Sequence, residues 1–181
     1  MKTKLALLLS ILFVLISLAP VALADSDDSA LGAFSTIDLY GEEVTSDIFA
    51  LADITLINIW GTFCPPCLAE MPDLGDLNRE YADRRFQIVG IVVDVDNLDM
   101  LALALEIIEA TGADYLHILP DEVMIRAKLY SVTAIPETIF VDSAGRQIGK
   151  SIIGSLPRDK WVEVIEQMLG EFADEASDAL Q

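Results

Sequence analysis

Short, nearly unbroken apolar runs alternate along this chain with longer stretches in which apolar residues recur every three or four positions. ITLINIW (54–60) and FQIVGIVVDV (86–95) are of the first kind and have the length of strands buried on both faces rather than of helices. LHIL (116–119) is a shorter strand. Leu98, Leu101, Leu105 and Ile108 follow the helical rhythm, and Gly112 fits a left-handed cap at the end of that helix. A helix also follows ITLINIW, to about Tyr81, and a short one covers Glu122 to Tyr130. FSTIDLYGEEVT (34–45) reads as a hairpin turning near Tyr40-Gly41, and ETIFVDSAGRQIGKSIIG (137–154) as two strands joined at Ser143-Ala144-Gly145. The last helix runs from about Pro157 to Phe172, with Ser155 as its N-cap and Trp161, Ile165, Met168 and Phe172 facing inward. The tail, ADEASDALQ, is polar and expected to fray. Strands alternating with helices, then a closing hairpin, predict one α/β domain with a mixed central sheet flanked by helices.

The first residues break this pattern. Lys2 and Lys4 precede an apolar run from Leu5, and Ala22-Leu23-Ala24 offers small residues around a cleavage point. That is the layout of a secretory signal peptide over 1–24. The rival is an uncleaved membrane anchor, because Leu5 to Ala24 is long enough to span a bilayer, although Ser10, Ser17 and Pro20 weaken it. Under either reading the remainder is exported. Residues 25–33 are an acidic linker, 34–172 the folded domain and 173–181 the polar tail.

Charge narrows the choice of partners. Without Lys2 and Lys4 the chain keeps 9 basic against 30 acidic residues, a net charge near −21. Nucleic acid and anionic lipid would repel it, so neither is expected as a partner.

Both of the 2 cysteines lie in WGTFCPPC (60–67). Structural zinc calls for about four ligands, and one CxxC with the lone His117 falls short. A structural disulfide between residues three apart closes a very small loop and gains little loop entropy. A redox pair accounts for position as well as spacing. Cys64 follows a buried strand and opens a helix, so its sulfur is expected to meet free backbone N–H groups and the positive end of the helix dipole. Thiols in such settings fall from about 8.5 to roughly 3.5–7.5. Cys64 is therefore expected to be acidic and reachable by solvent, with Cys67 one turn further in and more covered. Pro66 suits the first helical turn, and Pro65 stiffens the loop.

With these elements placed, the chain resembles the TlpA/ResA-like group of exported thiol–disulfide oxidoreductases, which have a thioredoxin-like fold. The resemblance covers about Phe34 to Leu169. It rests on the leading hairpin, INIWGTFCPPCLAEMP, the VVDVD strand end, AIPETIFVDSAGR and the closing helix. It implies an N-terminal hairpin extension and a helix–strand insertion on that fold. It further implies that Cys64 is the nucleophile and Cys67 the resolving thiol of a redox-active disulfide. Glu70 matches a carboxylate near the thiols that could take the Cys67 proton. The resemblance implies that Trp60, Pro65, Pro66, Ile135 and Pro136 bind substrate, Pro136 matching the family's cis-proline and Ile135 offering backbone hydrogen bonds. Read from its place at a strand end, Trp60 is equally a core aromatic. Pro72 matches a kink proline of the active-site helix. Asn58 stands where cytoplasmic thioredoxins carry a buried acid. Glu137 departs from the usual hydroxyl residue after the cis-proline, and a second acid at the groove would disfavour a nearby thiolate.

The function so implied is reduction of protein disulfides outside the cytoplasm of a bacterium, in cytochrome c maturation or general repair of exported proteins. Its partners would be disulfide clients, apocytochrome c among them, and a membrane reductant carrier. A monomer with no cofactor and no metal is expected. A disulfide-donating oxidase is the nearest alternative, and a Sco-like copper-binding module the rival outside enzymes. His117 is assigned no chemistry.

Overall fold

A computed structural model describes residues 28–178, with side chains described to residue 173. The expected signal peptide or anchor and the first part of the acidic linker lie outside the described residues. Among those described, no helix is long and apolar enough to cross a membrane.

The elements in chain order are β1 (Ser35–Ile37), β2 (Glu43–Thr45), β3 (Ile54–Trp60), α1 (Pro65–Tyr81), β4 (Phe86–Val92), α2 (Leu98–Thr111), β5 (Leu116–Ile118), α3 (Glu122–Ala127), β6 (Glu137–Asp142), β7 (Gln147–Ile153) and α4 (Arg158–Asp178). The main sheet has the order β5-β4-β3-β6-β7. β3 pairs in parallel with β4 and antiparallel with β6. β5 joins β4 in parallel and β7 joins β6 antiparallel. This is the mixed sheet expected of a thioredoxin-like fold, with β1 and β2 as the N-terminal hairpin. The hairpin is tied to β5 by the Asp38–Ile118 bridge, Leu39 N–H to His117 O and Leu119 N–H to Ile37 O.

Every residue of β3 is buried, as a central strand covered on both faces must be. Alternation divides its side chains between two cores. Ile54, Leu56 and Trp60 pack with α1, α2 and α4, while Ile57 and Ile59 pack with the hairpin and α3. Asn58 shares the first face, and so points toward α1.

Several boundaries differ from expectation. β4 stops at Val92 rather than residue 95, because Asp94 turns away to bind the loop after β3. α1 is continuous through Pro72, although proline has no N–H for the Leu68 carbonyl. α3 ends at Ala127, and a separate tight turn covers Leu129–Ser131. α4 begins at Arg158 with the Pro157 carbonyl accepting from Trp161 N–H, which puts Pro157 and not Ser155 at the cap position. It also continues through Asp178 rather than ending at Phe172. ADEASD contains neither Gly nor Pro, so nothing in it stops a helix.

Candidate active site

Parallel pairing brings the C-terminal ends of β3 and β4 side by side, and the site begins there. Thr62, just past β3, donates its N–H to both carboxylate oxygens of Asp94 at 3.1 and 3.0 Å, and its hydroxyl to Oδ2 at 2.5 Å. This fixes the loop leading into α1. Cys64 N–H then bonds to Gly61 O at 3.1 Å, and Cys64 becomes the N-cap of α1 with extended backbone. Pro65 and Pro66 fill the first two helical positions and have no N–H to offer. Cys67 is thus the first residue of the helix able to donate, and its N–H reaches Cys64 Sγ at 3.3 Å. One amide, not several, faces the sulfur.

Cys64 and Cys67 are joined as a disulfide with their Cα atoms 5.3 Å apart. Cys67 is fully buried, whereas Cys64 is 5% exposed. Cys64 is therefore the more accessible of the two, as expected, but it is not an open thiol. The cap conformation folds its sulfur inward, to 3.6 Å from the carbonyl oxygen of Ile135. Pro65, Pro66 and Phe63 form the exposed rim. Ile135 is half-buried, Pro136 is buried, and the bond between them is cis.

Glu70, two turns into α1, is only 2% exposed. Asn58 Nδ2 donates to Oε1 at 3.0 Å, while Leu156 N–H and Trp161 Nε1 donate to Oε2, each at 3.2 Å. Burial pushes its carboxyl up to about 7, against the pull of these three donors, and Asp73 adds to the rise. Among the described residues its partners are these groups rather than a cysteine sulfur, because the disulfide has no S–H to give. Asn58 also donates to Thr138 Oγ1 at 3.1 Å, and its Oδ1 is buried without a partner.

Of the two readings of Trp60, substrate contact and core aromatic, its full burial favours the second. Its indole N–H donates to His117 Nδ1 at 3.1 Å, and His117 Nε2 lies 2.9 Å from Ala113 O. Burial lowers His117 to about 4, so the ring is neutral and donates through Nε2. Trp60 therefore belongs to the packing behind the site. Glu137 also differs from expectation. It is buried and ion-paired with Lys128 at 2.5 Å, so it places no free negative charge at the groove.

A cystine capping a helix after the central strand, with a cis-proline segment across from it, sits inside a stretch that the Redoxin profile matches over residues 26–169. The chain belongs to the Redoxin family. Within this family it is TlpA/ResA-like. It is 30% identical over 124 residues to the thiol-disulfide oxidoreductase ResA of Oceanobacillus iheyensis, covering 66% of this chain and 61% of that one. It is 32% identical over 105 residues to a DsbE homologue, a thiol:disulfide interchange protein of Paracoccus denitrificans, covering 58% and 53%. The match thus spans less than two thirds of the length of either relative. The crystal structure of a thioredoxin-family thiol:disulfide interchange protein from Chlorobium tepidum superposes with a TM-score of 0.65 at 26% identity, over 76% of this chain and 93% of that one.

Sequence reasoning found the cysteines, Glu70 and the Ile135–Pro136 segment, all brought to one end of the sheet. It missed Asp94, although the VVDVD strand end contained it, and the Trp161 and Leu156 donors. Nothing in their spacing links residues 86 and 91 positions away to Glu70.

Proposed function

We propose that this protein is an exported thiol–disulfide oxidoreductase that reduces disulfides in protein clients. The observation that carries the reading is the Cys64–Cys67 pair at the start of α1, with one backbone N–H directed at Cys64 Sγ. In the reduced enzyme that N–H and the helix dipole stabilise a Cys64 thiolate. The thiolate attacks a client disulfide, forming a mixed disulfide and expelling one client thiolate, which takes up a proton. Cys67 gives up its proton and attacks Cys64 Sγ. That step releases the second client thiol and leaves the enzyme with the disulfide it holds here. Two electrons and two protons have then passed to the client. Glu70, ionising near neutral pH and one turn beyond Cys67, is the group suited to take the Cys67 proton.

A membrane-held dithiol carrier would return the electrons, since compartments outside the cytoplasm are oxidising. Apocytochrome c is one client class that the resemblance to ResA and DsbE supports, and general repair of exported proteins is another. Copper binding of the Sco type finds less support, because both ring nitrogens of His117 are engaged, with Trp60 and Ala113.

The test is insulin-disulfide reduction with dithiothreitol as electron source. Cys64→Ser is expected to abolish turnover. Cys67→Ser is expected to stall at a mixed disulfide detectable by mass spectrometry. If both variants reduce insulin at the wild-type rate, the reading is wrong.

A further inference from the structure

Lys128 and Glu137 form the one ion pair among the described residues in which both side chains are mostly buried, at 12% and 5% exposure. The other pairs each include a well-exposed partner. A buried ion pair is a poor way to gain stability, because desolvation offsets most of the attraction, and its best-attested use is to fix register. The position of this pair shows what it would fix. Lys128 caps the C-terminal end of α3, and its carbonyl accepts both the N–H and the hydroxyl of Ser131. Glu137 opens β6 immediately after Pro136 and lies opposite Ile59 of the central strand. The ion pair therefore joins the two ends of the loop 129–136 across its neck.

That loop forms one wall of an apolar groove of about 510 Å³. Leu129, Val132 and Ile135 from the loop face Phe63, Val93 and Ile125, with no charged side chain in the lining. Ile135 and Phe63 also flank the disulfide. A client joined through sulfur to Cys64, which lies against Ile135, would have this wall beside its neighbouring residues. The groove suits an extended client segment with an apolar residue next to its cysteine, and rejects an acidic one that would be desolvated there.

We propose that Lys128 and Glu137 are positioning residues for client binding, clamping the 129–136 loop so that its apolar wall is preformed beside Cys64. This rests on the oxidoreductase reading given above. The clamp lowers the ordering cost of docking a protein segment and does nothing for a disulfide too small to fill the groove.

The test compares the full chain with Lys128→Met/Glu137→Thr, which removes the pair without leaving a lone buried charge. Substrates are a disulfide-linked peptide dimer with leucine beside each cysteine, the same peptide with aspartate there, and glutathione disulfide, with dithiothreitol as reductant. The double variant is expected to raise KM for the leucine peptide about tenfold while kcat changes less than about twofold. Its rate on glutathione disulfide should match wild type, and the leucine-over-aspartate preference should shrink. Amide exchange at Ser131 and Val132 should quicken about tenfold without a comparable change in β3. The charge-swapped Lys128→Glu/Glu137→Lys is expected to recover the wild-type KM. Unchanged KM together with unchanged exchange would overturn the clamp, as would an equal loss on all three substrates. If wild type reduces none of the three, the oxidoreductase reading fails, and amide exchange alone decides whether the pair holds the loop.

Discussion

At the scale of single residues, two buried titratable groups pull the pH dependence of stability in opposite directions. Glu70 rises from 4.5 to about 7 on folding, so the stability linked to its protonated form is complete below pH 4.5 and is lost as pH climbs through 7. His117 falls from 6.5 to about 4, so its contribution is complete above pH 6.5 and is lost as pH drops through 4. Between about 4.5 and 6.5 one slope offsets the other, each being about 1.4 kcal/mol per pH unit. Glu70→Gln removes one of them. Urea denaturation of this variant is expected to show stability climbing with pH across that window, relative to a flatter wild type. Parallel curves would mean that Glu70 titrates as an ordinary carboxylate. The two prolines of the motif give a second prediction. Pro66→Ala restores an N–H in the first turn of α1, beside the single amide already bonded to Cys64 Sγ. The Cys64 thiol of the reduced variant should have a lower pKa, read from the pH dependence of its alkylation rate.

At the scale of elements, α1 and the end of α2 approach each other closely at Gly75. A Cβ on Gly75 would run into the Gly112 carbonyl and come within 3.2 Å of Ala113 Cα. The obstacle is backbone and cannot swing aside. Gly75→Ala should therefore destabilise the fold by about 1–3 kcal/mol despite the better helix propensity of alanine, a loss that thermal and urea unfolding would register. A neutral or stabilising result would mean the two helices are free to separate. Elements of this kind were legible to different depths. β3 and the C-terminal end of α2 could be read closely, because one is a nearly unbroken apolar run of seven residues and the other has a helical rhythm that stops at Gly112. The Asn97 cap at the start of α2 was not read. Trp60 could be placed at its strand end, but whether it faced solvent or core depended on His117, 57 residues away. The burial of Glu137 likewise depended on Lys128, whose side chain carries no sign in sequence of being turned inward.

For the molecule as a whole, 30 acidic against 11 basic residues leave a formal charge of −19. Exposed ion pairs such as Arg84–Glu166 and Arg85–Asp53 are worth at most about 1 kcal/mol each, so net repulsion outweighs what they return. Raising salt from about 0.01 to about 0.1 M shortens the screening length from about 30 to about 10 Å. The unfolding midpoint in calorimetry is expected to move up over that range, and a fall would show that the pairs dominate. The housing of Glu70 has a further consequence. Two of its three hydrogen bonds come from residues 86 and 91 positions downstream, so a ribosome delivers the whole CPPC motif long before it delivers Leu156 and Trp161. A nascent or truncated chain thus holds both sulfurs with a carboxylate that ionises like any other. The burial that raises the Glu70 carboxyl, and with it the proton acceptor proposed for the pair, arrives only when the last helix docks.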